Sequence, residues 1–262
     1  MAGERKLSCI LLVEVMAIEL FRGAHIDLFQ GLADDLIAEL LQQAQPRMIV
    51  ADDVIFNAGS PARTVHVLVS GCVRLVQFTP TGERVIIQYV RPGETFGTPA
   101  LLDSRHGADA MAVTNCTELQ WPSNFIREVM SQHPLVALNA MRAFETRLES
   151  MENRLRDLSN GRVEQRIAQA LSDLADRFGR LGSEGTEIPF PISRQDLADL
   201  SGTTLHTVSR ILGTWEVLGH IKRGRRRIVV TDLTSLAIRA QQGALAEPSP
   251  RRSHRRAGRR SK

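Results

Sequence analysis

One short segment, residues 192–212, limits most strongly what this chain can fold into. Ser193 and Asp196 form a capping-box pattern, which predicts that a helix begins there. Gly202 predicts a tight turn, because glycine tolerates the left-handed backbone conformation. Thr203 is placed to cap a second helix, which is predicted to end at Gly219. Two short helices joined by a tight turn indicate a helix-turn-helix. An ordinary helical hairpin would give the same pattern, so the motif alone leaves both alternatives open.

The predicted second helix has one apolar and one polar face. Its apolar residues recur at helical spacing and are expected to be buried; they are Leu205, Val208, Ile211, Leu212, Trp215 and Leu218. The polar face carries short donors and acceptors near the N-terminus and one forked cation, as direct recognition of DNA base edges requires. The candidate DNA-contacting residues are Thr203, Thr204, His206, Thr207, Ser209 and Arg210.

A strongly basic hairpin is predicted directly after this helix. Five of the seven residues 221–227 are Lys or Arg, and a second strand is predicted from Ile228. Beside a helix-turn-helix, such a hairpin is typical of a wing, whose cations neutralise DNA phosphates. A solvated charged turn is the alternative. Arg225 and Arg226 are the candidate phosphate contacts, and the hairpin favours DNA binding for the whole segment.

The N-terminal half has a different pattern, in which short apolar stretches alternate with glycine turns over residues 46–121. Glycines at 59, 71, 82, 93 and 97 are spaced 12, 11, 11 and 4 residues apart. Many short strands separated by glycine turns predict an antiparallel β-sandwich or barrel.

Between these two parts, residues 134–160 contain no glycine and no proline after Pro134, which predicts one long helix. Five apolar residues, spaced 4, 3, 4 and 3 apart, form a narrow coiled-coil seam: Phe144, Leu148, Met151, Leu155 and Leu158. Leu135, Leu138 and Met141 are expected to pack on the β-domain instead. The seam predicts a parallel homodimer. The second helix of the helix-turn-helix, the recognition helix, would then occur twice, and the two copies would reach two half-sites of the DNA about 34 Å apart.

Charge and cysteine content narrow the class of protein further. The net charge is +4, but the tail from Pro248 holds six Arg, one Lys and no acid, so residues 1–247 carry −3. The tail is predicted to be disordered. The three cysteines show no CxxC spacing, which argues against a zinc or iron–sulfur site and fits a reducing cytoplasm. The apolar stretch 7–21 is too short to span a bilayer. We find no motif of an enzyme and predict no catalytic residues and no metal site.

The glycine-rich β-domain, the long helix and the helix-turn-helix with its wing follow one another along the chain. In this order and spacing, they resemble the cyclic-AMP receptor / fumarate-nitrate regulator (Crp–Fnr) superfamily of bacterial transcription factors. The resemblance covers residues 25 to 240, and the segments 190–198 and 202–212 resemble the branch that responds to nitrogen oxides. It implies an α+β protein: an N-terminal antiparallel β-roll of the cyclic-nucleotide-binding type, a long dimerisation helix and a C-terminal winged helix-turn-helix. The expected boundaries are an extension at 1–24, the roll at 25–133, the helix at 134–160, the DNA-binding domain at 161–240 and the basic tail at 241–262.

The resemblance also implies where an effector would bind. In cyclic-AMP-binding relatives a cassette supplies a Glu for the ribose and an Arg for the cyclic phosphate. Thr98 stands at the position of that Glu, and Ala108 and Asp109 stand at the Arg-Ser positions. The cassette, formed here by Gly97, Thr98, Ala100, Leu101, Ala108 and Asp109, is therefore degenerate. We predict that it does not bind cyclic AMP.

The nitrogen-oxide branch implies a response to nitric oxide, with haem as a candidate cofactor. Haem needs an axial His, Cys or Met, and the sensor half offers His25, His66, His106, His133 and Cys72. His66, in mid-strand, is the candidate ligand, although a surface or hydrogen-bonded histidine is the plainer interpretation.

The sequence thus predicts a cytoplasmic homodimer that binds palindromic double-stranded DNA, with RNA polymerase as a further partner. A regulator without an effector, controlled by its own abundance, is one alternative. A ligand-binding module without a DNA target is another. In the oxygen-sensing relatives, a Glu stands at the position of His206, while Ser and Arg match Ser209 and Arg210. The half-site is therefore expected to differ where that Glu acts.

Overall fold

The computed structural model describes residues 26–160, 162–224 and 227–241, and for 157–160, 237 and 239–241 it describes the backbone alone. The N-terminal extension, His25 and the basic tail from residue 242 onward thus lie outside the described residues. The described chain opens with a 3₁₀ turn at Asp27–Phe29 and helix α1 at Asp34–Gln42. A β-roll follows, whose strands are β1 (Gln45–Ile49), β2 (Val54–Phe56), β3 (Thr64–Ser70), β4 (Val73–Phe78), β5 (Arg84–Val90), β6 (Thr95–Phe96), β7 (Asp109–Ala112) and β8 (Cys116–Pro122).

The roll consists of two antiparallel four-stranded sheets, in the orders β1-β8-β3-β6 and β2-β7-β4-β5. The glycines of the predicted register, at 59, 71, 82, 93 and 97, all have positive φ, as their turns require. Gly71 also needs its missing side chain, because a Cβ there would lie 2.5 Å from the Asn115 carbonyl oxygen. These glycines therefore lie in the turns that separate the strands of the roll.

Two helices lead out of the roll: α2 (Ser123–Gln132) and α3 (Pro134–Asn160). The first turns of α3 pack against the roll through the buried side chains of Val136 and Ala140, and Asn139 donates to the Gln30 carbonyl at 2.8 Å. Leu138 and Met141 are instead 50% and 66% exposed, so the prediction that they pack on the roll is wrong. The small side chains of α3 allow the close approach, and the larger ones point outward.

The C-terminal part is a winged helix domain. It contains α4 (Val163–Phe178), β9 (Arg180–Gly182), β10 (Gly185–Glu187), α5 (Arg194–Ser201), α6 (Leu205–Val217), β11 (Ile221–Gly224), β12 (Arg227–Val230) and α7 (Leu233–Gln241). Its four strands form one antiparallel sheet in the order β11-β12-β10-β9. The predicted α+β architecture is confirmed. No helix in the described part of the chain is long and apolar enough to cross a membrane.

The winged domain shares its hydrophobic core with the roll. Cys72, Val76 and Ile86 of the roll belong to the same buried cluster as Leu171 and Trp215 of the winged domain. The Tyr89 ring lies 5.1 Å from that of Phe190. Burial of such apolar surface stabilises a contact by about 25 cal/mol per Å². The two parts are therefore firmly docked.

Candidate nucleic-acid interface

The turn between α5 and α6 is held by side-chain caps that follow from the sequence. The Asp196 amide donates to Ser193 Oγ at 3.0 Å, and the Ser193 amide donates to Asp196 Oδ2 at 2.8 Å, which completes the predicted capping box. Gly202 has φ 58°. The cap of α6 is Thr204, whose Oγ1 accepts from the Thr207 amide at 3.2 Å. Thr203 does not serve as this cap, because its amide is still bonded to the Ala198 carbonyl and closes α5.

Helix α6 buries the centre of its predicted apolar face and exposes both ends. Val208, Leu212 and Trp215 are buried, as is Ile211. Leu205 and Leu218 are 47% and 54% exposed, contrary to the prediction, because they stand at the first residue and at the C-cap of the helix. The Trp215 indole donates to Glu164 Oε1 at 2.9 Å, which ties α6 to the supporting helix α4.

The opposite face of α6 is polar and open. Thr204, His206 and Arg210 are exposed, and Thr203, Thr207 and Ser209 are half-buried. Arg210 forms no ion pair with any residue that the structure describes, so its fork of donors is available. Arg194, at the start of α5, brings Nη1 to within 3.5 Å of Ser209 Oγ and adds a second cation to this face. Sequence reasoning missed Arg194, because it lies outside the predicted recognition helix.

The wing is less basic than its sequence suggests. Lys222 pairs with Glu184 at 2.8 Å, Arg227 pairs with Glu187, and Arg223 pairs with Glu216. The pKa of Glu184 is lowered chiefly by its hydrogen bond from Lys222. Three of the five cations are thus neutralised within the domain. Arg225 and Arg226, at the turn, lie outside the described residues.

Helix α3 carries an exposed apolar stripe along one side. Phe144, Leu148, Met151 and Leu155 are 39%, 58%, 43% and 64% exposed. The side chain of Leu158 lies outside the described residues. Leu138 and Met141 extend the stripe toward the start of the helix, which the sequence analysis did not foresee. A stripe of this width matches one seam of a coiled coil.

Next to the stripe, two arginines attach α3 to the roll and to the winged domain. Arg147 Nε donates to Gln88 Oε1 at 3.0 Å, and its Nη1 lies 3.5 Å from Thr98 Oγ1. Arg154 donates to the Ile86 carbonyl at 2.7 Å and to the Leu200 carbonyl at 2.6 Å. Their seven-residue spacing, two helical turns, was the available signal that they share one face. Burial lowers the pKa of both guanidinium groups.

The degenerate cassette forms a 3₁₀ turn, Thr98–Leu102, followed after a loop by β7. Gly97 begins the turn with φ 70°, and Ala100 and Leu101 are buried. Asp109 Oδ1 accepts a hydrogen bond from the Ala58 amide at 2.6 Å, so this carboxylate is used in a hydrogen bond within the roll. A cavity lined by Thr98 and Arg147 has a volume of about 10 Å³, which is space for roughly one water molecule.

Comparison with known proteins matches both parts of the chain. Residues 46–133 match the cyclic nucleotide-binding domain, and residues 165–238 match the Crp-like helix-turn-helix domain. The nitrogen fixation regulation protein FixK of Azorhizobium caulinodans is 30% identical over 193 residues, which cover 73% of this chain and 77% of that protein. The chain belongs to the Crp/Fnr family. It is thus a DNA-binding transcription regulator and not an enzyme.

Other Crp/Fnr proteins match over most of the chain. The CRP-like cAMP-activated global transcriptional regulator of Mycobacterium tuberculosis is 25% identical over 219 residues, covering 83% of this chain and 98% of that one. The structure of FixK2 from Bradyrhizobium japonicum superposes with a TM-score of 0.65 at 27% identity, covering 74% of this chain and 96% of FixK2. The relatives differ in the regulation that their names record, so the family membership does not specify the signal.

Among the candidate haem ligands of this Crp/Fnr regulator, those that the structure describes do not suit a haem. His66 is 3% exposed, its Nε2 lies 2.8 Å from Thr64 Oγ1, and its Nδ1 lies 3.3 Å from Glu118 Oε2. Both ring nitrogens therefore face protein groups. His106 is buried and stacks on Phe56 at 3.7 Å.

Burial lowers the pKa of His106 and raises that of the Cys72 thiol, which disfavours the thiolate that a metal requires. His133 is half-buried at the end of α2, where its amide is bonded to the Val129 carbonyl. No group of three or more metal-binding side chains occurs within the described ranges. We therefore assign no cofactor to His66 or Cys72.

Proposed function

We propose that this Crp/Fnr regulator acts as a homodimer on palindromic DNA, with RNA polymerase as its partner at the promoter. The observation that supports the proposal is the pairing of two open surfaces on one chain. One is the apolar stripe of α3, and the other is the polar N-terminal face of α6. A single α6 offers too few base contacts for a specific site, whereas a two-fold dimer doubles them.

Because the stripe consists of exposed apolar side chains, packing against a second copy of α3 would be more favourable than exposure to water. Leu148 and Leu155 lie seven residues apart, so each would meet its own counterpart in a parallel coiled coil. Arg147 and Arg154, which flank the stripe, hold α3 on the roll and on α5. The helix is thereby oriented with its stripe outward, where a partner can reach it.

Base recognition is assigned to the exposed side of α6. Arg210 has the forked donors that suit the O6 and N7 of guanine. Shorter polar side chains are assigned to the remaining base contacts: His206, Ser209, Thr203, Thr204 and Thr207. Arg225 and Arg226 are assigned to phosphates, because the remaining wing cations are engaged by glutamates.

Selection from random-sequence duplexes, followed by sedimentation of the free protein and of the complex, tests this proposal. We expect enrichment of an inverted repeat with half-site centres about 34 Å apart. We also expect two protein chains per duplex. Enrichment of a single, non-repeated half-site by a monomer would reject the dimer, and absence of any enriched sequence would reject specific recognition.

For the signal, we propose a response to nitrogen oxides rather than to cyclic AMP. The likeness of segments 190–198 and 202–212 to that branch supports the first part. Thr98 and Ala108, which stand where cyclic-AMP-binding relatives have the ribose and phosphate ligands, support the second. DNA binding measured anaerobically with and without a nitric oxide donor tests the response. Equal binding in both conditions would favour a regulator controlled by its own abundance.

A further inference from the structure

The arginine tail, which we define as residues 248–262, is the most densely charged segment of the chain. It contains six Arg, one Lys and no acid. Its arginines form three adjacent pairs at intervals of four residues: Arg251-Arg252, Arg255-Arg256 and Arg259-Arg260. A block of like charges repels itself and is typical of an interaction tail. The regular repeat of the pairs indicates a partner that carries a regular row of negative charges.

The winged domain has few cations to spare for the phosphates of DNA. Residues 161–240 contain 12 Lys and Arg but also nine Asp and Glu. In the wing, Glu184, Glu187 and Glu216 each engage one cation of the basic hairpin. Neutralisation of phosphates supplies most of the sequence-independent affinity for DNA, and DNA interfaces are strongly positive for that reason. The seven unopposed cations of the arginine tail would supply the charge that the winged domain lacks.

Helix α7 holds the start of this segment at the winged domain. The Thr231 amide, at the end of the wing strand β12, donates to the His220 carbonyl at 3.0 Å, and Leu236 of α7 is buried in the core. Nine residues of α-helix are about 13 Å long, so α7 ends close to the wing. Ten residues lead from Gln241 to Arg251. Such a linker spans about 16–19 Å when flexible and roughly 35 Å when extended. The arginine pairs can therefore reach DNA beside the wing.

The spacing of the arginine pairs is compatible with a DNA duplex. In an extended chain, successive pairs lie about 13 Å apart, whereas a duplex carries one negative charge per roughly 1.7 Å of its axis. Each pair would therefore meet phosphates of its own. Contacts with phosphates position a protein on DNA without reading the bases, so the tail needs no fixed conformation for this role.

The composition of the arginine tail disfavours other anionic partners. Single-stranded nucleic acids are held by aromatic side chains that stack on the bases, and residues 248–262 contain no Phe, Tyr or Trp. Stable attachment to a membrane needs an apolar or lipid anchor in addition to basic charge, and the same residues contain no Leu, Ile, Val or Met. The composition thus favours the phosphates of double-stranded DNA.

We propose that the arginine tail binds the phosphate backbone of duplex DNA next to the site that α6 recognises. That this site is specific and palindromic rests on the proposed function. Because the tail is tethered to the winged domain, its effective concentration at the flanking DNA is in the millimolar range, about that of other short flexible linkers. The tail therefore raises the affinity without changing the sequence that is selected, and it lengthens the stretch of DNA that the protein occupies.

Binding of the full chain to two duplexes tests the proposal. The core duplex contains the selected palindrome alone, and the flanked duplex adds about two helical turns of unrelated sequence on each side. The six-glutamine variant replaces all six arginines of the tail. It should bind the flanked duplex at least roughly 10-fold more weakly at low salt, and its slope of log affinity against log salt should fall by about 0.9 for each lost phosphate contact. Both proteins should bind the core duplex equally.

A six-lysine variant is the matched control. It keeps the charge without the guanidinium fork, and since neutralisation of phosphates needs only the charge, it should retain the wild-type affinity and slope on the flanked duplex. Equal affinity and equal slope of the wild type and the six-glutamine variant on the flanked duplex would overturn the proposal. A larger effect of the six-glutamine variant on single-stranded RNA, or on vesicles with anionic lipids, would overturn it in favour of that partner.

Protection from trypsin gives a second measurement that needs no variant. Trypsin cleaves after Arg and Lys, so the arginine tail of the free protein should be removed stepwise, as mass spectrometry will record. The flanked duplex should slow this removal, whereas the core duplex should not. Equal rates of removal on the two duplexes would contradict the proposed contact.

The tail and the regulatory function are separated by the sequence that is bound. Binding to every duplex that depends on the tail, with no selected sequence, would reject the proposed function and leave the tail assignment standing. Selection of a palindrome with the same salt slope in the wild type and the six-glutamine variant would reject the tail assignment alone.

Discussion

Arg84 on β5 donates from Nε to Asp199 Oδ2 on α5 at 2.5 Å, which joins the β-roll directly to the first helix of the helix-turn-helix. Its Nη2 also donates to Asp196 Oδ1 at 2.7 Å. Burial by itself lowers the pKa of Arg84, but its hydrogen bonds and charge contacts with Asp199 and Asp196 outweigh the effect and raise it. Asp196 thus caps α5 and anchors α5 to the roll at the same time.

We expect Arg84→Gln to destabilise the protein by about 1–3 kcal/mol, because two nearly buried carboxylates would be left without this charged partner. The change should appear as a lower urea midpoint and as faster proteolysis between the roll and the winged domain. The double variant Arg84→Gln/Asp199→Asn should recover part of the stability. An unchanged midpoint in Arg84→Gln would show that the contact is energetically neutral.

Arg210→Ala should cost about 1–3 kcal/mol of specific DNA affinity and relax one base position. Arg210→Lys, which keeps the charge without the fork, should reduce specificity at the same position while retaining more of the non-specific affinity. Selection experiments on the three proteins measure this. Identical enriched sites in all three would remove Arg210 from the base contacts.

Arg225→Ala or Arg226→Ala should weaken binding to all sequences about equally. The slope of log affinity against log salt should fall by about 0.9 for each phosphate that is no longer neutralised. Arg227→Ala is the matched control, since Arg227 is paired with Glu187 and should change the slope less. If both variants keep the wild-type slope of log affinity against log salt, these arginines do not contact phosphates.

Leu148→Glu and Leu155→Glu would each bring like charges together in the seam of a parallel dimer. Sedimentation should then show a monomer, and specific DNA binding should fail. Met141→Glu tests whether the seam extends to the start of α3. Ser150→Glu adds the same carboxylate at an exposed position off the stripe and should leave the dimer intact. A stable dimer in both leucine variants would contradict the assignment.

Burial raises the pKa of Asp27 above its ordinary value of 3.8, although hydrogen bonds from Thr95 and Leu28 act in the opposite direction. A raised carboxyl pKa favours the protonated form in the folded state. The stability it contributes is therefore full below pH 3.8 and is lost as the pH rises through the folded-state pKa.

Asp27→Asn should flatten this part of the pH dependence of thermal unfolding above pH 3.8. Asp35→Asn, at an exposed position, should follow the wild type. A wild-type pH profile for Asp27→Asn would show that the carboxyl does not titrate with folding.

The sequence alone predicts the elements that depend on local patterns. Ser193, Asp196 and Gly202 act within a few residues of themselves, so the helix-turn-helix was found with only the cap displaced, from Thr203 to Thr204. The glycine register of the roll is local for the same reason. Leu205 and Leu218 were wrongly predicted to be buried, because the periodicity of apolar residues does not show where a helix begins and ends.

The contacts between distant residues were not predictable in this way. Arg84 and Asp199 are 115 residues apart in the sequence. The sequence of a strand does not show whether an arginine on it is exposed to solvent or paired with an acid. Leu138 and Met141 resemble core residues, and only the docking of Val136 and Asn139 on the roll turns them outward. Arg147 is a flanking charge in the heptad pattern, and the pattern does not show its hydrogen bond to Gln88, 59 residues away in the sequence.

Arg154 bonds the Ile86 carbonyl of the roll with one nitrogen and the Leu200 carbonyl of α5 with another. Neither domain can come away from the long helix without leaving backbone acceptors bare, and the cluster around Tyr89 and Trp215 would open in the same event. Heating should therefore unfold the β-roll and the winged domain together. A calorimetric scan should give one peak, with van't Hoff and calorimetric enthalpies that agree.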